Sequence, residues 1–152
     1  MSLRQPYSVL VVIYTLEGEF LLLQRADDPD FWQSVTGGID EGELPCATAA
    51  REVFEETGID ISQQQLRLVD EQRCHRYAIR EQWRYRYQPG ATVNTEYVFS
   101  LCLPKRYPIQ LAADEHLSYL WLDANQASAK AWSDSNAQEI RTLASKLAHN
   151  SR

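Results

Sequence analysis

The hydrophobic positions of this chain fall into short runs separated by polar turns, a pattern typical of a β-rich domain. Residues 7–16 are apolar and β-branched, which predicts a buried strand, and the turn signal Glu17-Gly18 precedes a returning strand over residues 19–25. Further strands are predicted over residues 31–39, 66–76, 95–103 and 119–122. Residues 77–93 fit no single element, apart from a clear turn at Gln88-Pro89-Gly90.

Two helices are predicted among these strands. Pro45 suits a first helical position and Gly58 suits a C-terminal stop, so the first helix covers residues 45–57. A cap among residues 133–135 begins a last helix that runs to about residue 149. The order of strands, helix, strands and helix predicts an α/β (α+β) fold, with a mixed β-sheet covered by helices, in a single domain over residues 1–152.

The first helix carries the strongest candidate chemistry. Helical spacing places an apolar stripe toward the sheet, made of Cys46, Ala50, Val53, Phe54 and Thr57. Glu52, Glu55 and Glu56 then converge on the opposite face, where three carboxylates repel one another. A hard divalent cation such as Mg²⁺ relieves that repulsion, because it prefers oxygen ligands. The alternative is an ordinary solvated charged face.

The residues around this helix match a known motif. Gly37, Glu43, Arg51-Glu52-Val53, Glu55-Glu56 and Gly58-Ile59 occupy every fixed position of the Nudix box, which spans residues 37–59, and the chain resembles the Nudix hydrolase family. The resemblance implies an α/β/α sandwich and a pyrophosphohydrolase that uses Mg²⁺, for which Mn²⁺ may substitute. It also implies metal ligands at Glu52 and Glu56 and catalytic roles for Glu55 and Arg51, the arginine orienting a glutamate.

Segments outside the box resemble the dihydroneopterin triphosphate pyrophosphatase subfamily. They are residues 27–37, Asn94-Thr95-Glu96, Glu115-His116-Leu117, Trp121-Leu122-Asp123 and Trp132-Ser133. This resemblance implies hydrolysis of 7,8-dihydroneopterin 3'-triphosphate to dihydroneopterin 3'-phosphate and pyrophosphate, an early step of folate biosynthesis. It adds Glu115 as a metal ligand and implies substrate-binding residues at Arg4, Arg25, Thr36, Gly37 and Gly38. His116 is interpreted as a structural histidine, and a place near the site, beside Glu115, is the alternative.

Two other functions stay open at this point. One is a (deoxy)nucleoside triphosphate or dinucleoside polyphosphate pyrophosphohydrolase, because the box names no substrate. The other is a Nudix module that binds a nucleotide or RNA without turnover. The intact set of three glutamates argues against the second, because a binder has little need for such a repulsive arrangement.

Charge and composition limit the partners. The net charge of −6 argues against binding nucleic acid over a broad surface and favours a small-molecule substrate, a pterin or a nucleoside triphosphate. The chain contains no apolar segment long enough to predict a membrane span. Its three well-separated cysteines suit a reducing cytoplasm. Monomer and homodimer both remain open. Five of the basic residues lie between Arg73 and Arg86, interleaved with aromatic residues, where they would either meet phosphates or cover an aromatic core.

Overall fold

A computed structural model describes residues 3–150, and it shows a mixed seven-stranded sheet with helices on both faces. The strands are β1 (Tyr7–Thr15), β2 (Glu19–Arg25), β3 (Trp32–Gln33), β4 (Val35–Gly38), β5 (Leu68–Ala78), β6 (Val93–Leu103) and β7 (His116–Asp123). The helices are α1 (Pro45–Thr57), α2 (Ala124–Lys130) and α3 (Asp134–Asn150), with a short 3₁₀ helix at Glu81–Arg86. The predicted fold class is confirmed.

Two features of the chain path were not predicted. The continuous strand expected over residues 31–39 is broken at Ser34, whose backbone N–H donates to the Asn136 side chain instead of continuing one ladder. Helix α2 was missed, although Asp123 supplies an ordinary N-terminal cap by accepting from the backbone N–H of Gln126 at 2.8 Å. Seven residues leave too few turns for a clear hydrophobic period.

Strand β1 is the centre of the sheet. It pairs in parallel with β6 along its whole length, and in antiparallel with β4 through residues 8–11. It pairs with β2 at Tyr14 and Phe20, after which β2 turns away to pair with β3 and β7. The chain therefore steps from the β2 side to the β1 side at Ser34, and the sheet opens where these strands part.

Two hydrophobic cores define the faces of the sheet. Val9 and Val11 pack with Val53 of α1, whereas Leu10 and Val12 pack with Ile140 of α3. Successive residues of a strand point to opposite faces. A residue of β1, β4 or β6 can therefore be assigned to the α1 face or to the α3 face from its register with these four residues of β1.

The predicted packing face of α1 was right for Val53 and Thr57 and wrong for Cys46 and Phe54. Phe54 is 54% exposed and Cys46 is also exposed, while Thr48, Ala49, Val53, Glu56 and Thr57 are buried. The helix is rotated so that Glu56 and part of Glu52 turn toward the sheet, leaving Glu55 outside. Glycine at position 37 removes the side chain that would block this rotation, as described below.

The predicted domain limits of 1–152 include residues 1, 2, 151 and 152, which lie outside the described residues. Between residues 3 and 150, no helix is long and apolar enough to cross a membrane. All seven strands belong to the one sheet, and the single domain stays a prediction.

The contact between Ser34 and Asn136 yields a stability prediction. Asn136 is 2% exposed, accepts from the Ser34 N–H at 2.8 Å and donates to Ser34 Oγ at 2.9 Å. Replacing Asn136 with Ala leaves a buried N–H unpaired, so we expect the free energy of unfolding to fall by about 1–3 kcal/mol. Urea denaturation of this variant is compared with Asn125→Ala, at an exposed position of α2. Equal stability of the two variants would contradict the assignment.

Candidate functional site

A cavity of about 820 Å³ opens where the strands part. Seven of the ten predicted site residues line it: Arg4, Arg25, Thr36, Gly37, Glu52, Glu56 and Glu115. The three others, Arg51, Gly38 and Glu55, are not among its lining residues. The structure therefore brings most of the predicted set together around one space, from a loop, two strands and α1.

Glu56 is the most unusual group in the cavity. It is 1% exposed, and neither carboxylate oxygen has a hydrogen-bond partner among residues 3–150. Burial, and then the negative charge of Glu52, raise its pKa well above the usual value. An ionised carboxylate left in this state is costly, so the site fits a ligand that supplies positive charge to these oxygens.

Glu52 lies beside Glu56 because of Gly37. A methyl group built on Gly37 would overlap the carboxyl carbon of Glu52, so only glycine allows the strand and this side chain to approach so closely. Burial also raises the pKa of Glu52. The sequence reasoning noted the glycines as a group, and the structure shows that position 37 is the one in contact with the acid.

Arg51 holds this arrangement from outside the cavity. Its guanidinium donates two hydrogen bonds to Glu43, at 2.8 and 2.9 Å, and one to the Gly38 carbonyl at 3.1 Å. Its remaining nitrogen donates to Glu52 at 2.7 Å and to Glu55 at 3.3 Å. The hydrogen bonds from Arg51 are the largest cause that lowers the pKa of Glu43 to about 2. Gly38 and Glu55 thus contact Arg51 rather than the cavity.

The loop before β7 brings Glu115 and His116 to Arg25. The backbone N–H of Ala26 donates to the Glu115 carbonyl at 2.9 Å, and Arg25 pairs with His116 in the sheet. His116 Nε2 lies 3.4 Å from Glu56 Oε1. Burial and the charge of Arg25 lower the pKa of His116 to about 4, so this contact is not an ion pair at neutral pH. His116 lines the cavity, which agrees with the alternative that placed it near the site.

The acidic residues present are chemically suited to a metal ion. Both Glu56 oxygens are buried without donors, and carboxylate oxygens are the ligands that Mg²⁺ prefers. Within residues 3–150, however, no three His, Cys, Asp or Glu side chains are grouped closely enough to hold one as they stand. Arg51 accounts for part of this, since it draws both Glu52 and Glu55 toward itself. The ligand set of Glu52, Glu56 and Glu115 stays a prediction.

Arginines and aromatic rings form another part of the cavity lining. The guanidinium groups of Arg25 and Arg80 each lie 4.4 Å from the centre of the Trp83 ring, and Arg80 is also 5.0 Å from Trp132. Asp27 accepts two hydrogen bonds from Arg25, both of 2.7 Å. The arginines that line the cavity form an arginine wall, to which the basic and aromatic stretch noted in the sequence contributes. Trp83 lies against the guanidinium groups of Arg25 and Arg80 and helps to position them.

Sequence reasoning did not single out Glu96 as a site residue. It is 5% exposed, lines the cavity, and accepts from Thr36 Oγ1 at 3.3 Å and Tyr77 OH at 3.5 Å. A signal was present in the alternation of β6, where Glu96 occupies the same phase as the buried Asn94 and Val98. A charged residue at an inward position of a strand is unusual enough to mark a site.

Comparison with known proteins gives consistent relatives. The sequence profile of the NUDIX domain matches residues 4–143. Dihydroneopterin triphosphate diphosphatase of Escherichia coli (strain K12) is 50% identical over 139 residues, covering 90% of this chain and 91% of that protein. The enzyme of the same name from Haemophilus influenzae is 42% identical over 142 residues, covering 93% and 89%. The structure of the E. coli dihydroneopterin triphosphate pyrophosphohydrolase superposes with a TM-score of 0.90 at 47% identity, covering 96% of this chain and 99% of that one.

The close approach of Gly37 and Glu52 is testable. A Gly37→Ala variant must push the Glu52 carboxylate away, so we expect Mg²⁺-dependent pyrophosphate release to fall at least about tenfold, as misplaced site groups do. Gly38→Ala is the matched control, because a methyl group there would meet only Arg4, at 3.9 Å. Equal activity of the two variants would show that the approach at position 37 does not set the geometry of the site.

Proposed function

This chain belongs to the Nudix hydrolase family, and we propose from that premise that it hydrolyses 7,8-dihydroneopterin 3'-triphosphate to dihydroneopterin 3'-phosphate and pyrophosphate. Two relatives that align over about nine-tenths of the chain carry the name dihydroneopterin triphosphate diphosphatase. The observation that carries the proposal is the unpaired, buried Glu56 carboxylate, which shares a cavity with Glu52 and an arginine wall. That combination fits a polyphosphate substrate with its cations.

We propose that Glu52, Glu56 and Glu115 bind Mg²⁺, or Mn²⁺ in its place. When bound, such an ion lowers the pKa of an attacking water and offsets the charge that grows on phosphate oxygens. Arg51 contributes by holding Glu52 in place through the 2.7 Å hydrogen bond. The Glu55 side chain is 52% exposed and pairs with Arg51, so its proposed part is to position that arginine.

The phosphate chain of the substrate is proposed to lie between the acidic residues and the arginine wall. Arg4, Arg25 and Arg80 line the cavity, and each guanidinium presents several donors in a plane that suits phosphate oxygens. Asp27 and Asp28 form ion pairs with Arg25 and Arg80, respectively. Positioning and charge neutralisation are the main contributions a protein makes to breaking a phosphoanhydride bond.

Glu56→Gln tests the central assignment. The amide keeps the volume but loses the charge, so we expect kcat for pyrophosphate release to fall at least about a hundredfold. The melting temperature should not fall, because the buried carboxylate has no hydrogen bond to lose. Calorimetry and a pyrophosphate assay measure the two effects.

The control for this experiment is Glu41→Gln, which removes the same charge from an exposed loop position. It should keep full activity. EDTA should abolish turnover of the unaltered protein, and added Mg²⁺ or Mn²⁺ should restore it. Unchanged turnover of Glu56→Gln would refute the metal assignment, and no pyrophosphate release from any substrate would support a non-catalytic binding module.

The substrate is tested separately from the metal. We expect kcat/KM for dihydroneopterin triphosphate to exceed the values for dATP and for a dinucleoside tetraphosphate by at least about tenfold, a difference that one or two directed hydrogen bonds supply. Steady-state assays with all three compounds at the same Mg²⁺ concentration measure this ratio. A tenfold preference for either nucleotide would overturn the pterin assignment and leave the pyrophosphohydrolase assignment standing.

A further inference from the structure

We infer that the Glu96 carboxylate determines base specificity, by accepting hydrogen bonds from the adjacent ring N–H and amino group of a 2-amino-4-oxo ring, as in a pterin or a guanine. The inference rests on the proposed function, because it assigns the other end of the same cavity. Glu96 is a buried acid that lines the cavity and takes no part in the metal and phosphate chemistry described above.

The hydrogen bonds of Glu96 show that it lacks good donors. Thr36 has one hydroxyl proton, and the Val9 carbonyl at 2.8 Å is closer to it than Glu96 Oε2 at 3.3 Å. Tyr77 OH is 3.5 Å from the same oxygen, at the limit of a hydrogen bond.

A buried carboxylate with so little support needs an explanation. Burial raises the pKa of Glu96 to about 7, and its two hydrogen bonds, both to Oε2, are long. The Nε2 of the neighbouring His75 lies 2.7 Å from Glu139. Donors brought by a ligand in the cavity would satisfy the group.

The sheet separates this carboxylate from the metal end. Glu96 pairs with Ser8 and is in phase with Leu10, so it projects from the face covered by α3. Gly37 is in register with Val9 and contacts Glu52, on the face covered by α1. The cavity is lined from both faces. A substrate with phosphates at one end and a ring at the other therefore reaches both groups at once.

Carboxylate geometry selects the kind of ring. Its two oxygens lie in one plane and accept from two neighbouring donors, which a 2-amino-4-oxo ring presents side by side. Adenine presents one donor next to an acceptor, which matches an amide such as Gln better than a carboxylate. Unpaired polar groups left by the wrong ring lower binding strongly, because the site is buried.

The first test uses the unaltered protein and three nucleotides, measured as substrates or as competitive inhibitors of pterin hydrolysis. dITP differs from dGTP only in lacking the 2-amino group. We expect kcat/KM or affinity for dGTP to exceed that for dITP by about tenfold or more, the effect of one hydrogen bond to a charged acceptor. Equal values for dGTP and dITP would overturn the inference.

The second test uses Glu96→Gln. We expect its kcat/KM for dihydroneopterin triphosphate to fall about tenfold to a hundredfold, while dATP is unchanged or improved and the dGTP to dITP ratio approaches one. The melting temperature should be maintained. A uniform loss for all substrates, or a lower melting temperature with unchanged ratios, would mean a structural carboxylate and would overturn the inference.

The matched control is Glu71→Gln, a buried acid on the same face that accepts from Ser100 Oγ at 2.6 Å and does not line the cavity. Its substrate ratios should equal those of the unaltered protein. If Glu96→Gln does not fold, the comparison of dGTP with dITP decides alone. If the unaltered protein does not prefer dihydroneopterin triphosphate over the nucleotides, the proposed substrate is refuted. The role of Glu96 is then still decided by the dGTP to dITP ratio.

Discussion

The burial of two carboxyl groups side by side is the constraint on which the rest of the site depends. Glu52 and Glu56 are one turn apart on α1, and both are turned toward the sheet rather than toward water. Gly37 makes room for Glu52. The hydrogen bond from Arg51 to Glu43 holds in place the guanidinium that pairs with Glu52. Glu56 receives no such partner among residues 3–150. A stable fold gains nothing from that state, so its explanation lies in the ligand that the cavity admits.

The sheet turns this local constraint into a two-ended cavity. Strand β4 pairs only with β1, and its successive residues Thr36 and Gly37 point to opposite faces. One residue therefore borders Glu96 and the next borders Glu52, within a single peptide step. The divergence of β2 from β1 leaves the space, and the arginine wall lines part of it. The proposed recognition of a ring and the proposed chemistry on its phosphates are thus both organised by the same short strand.

The sequence was informative about chemistry wherever spacing was fixed, and less so wherever tertiary contacts decided the outcome. The box from Gly37 to Ile59 identified the acidic helix and its glycine, because both lie within one local unit. The rotation of α1 was missed, since it depends on how Gly37 packs against Glu52 fifteen residues away. His116 and Glu96 were not placed in the site for the same reason. Glu96 left a signal in the alternation of β6, but both residues become part of the site only when β6 and β7 are brought to the cavity.

Charge balance explains how a chain with a net charge of −6 accommodates a polyphosphate. The arginine wall is already paired, since Asp27 engages Arg25 and Arg86 while Asp28 engages Arg80. The hydrogen bond from Arg25 is the largest cause that holds the pKa of Asp27 at about 2, so that carboxylate stays ionised. Phosphate oxygens entering the cavity must share these arginines with the two aspartates, which weakens binding by arginines alone. Tight binding then requires further positive charge, and the carboxylates of Glu52 and Glu56 are suited to hold cations that supply it. Phosphates and metal ions are therefore expected to bind together more strongly than either does alone, a coupling that follows from the pairing already present in the protein.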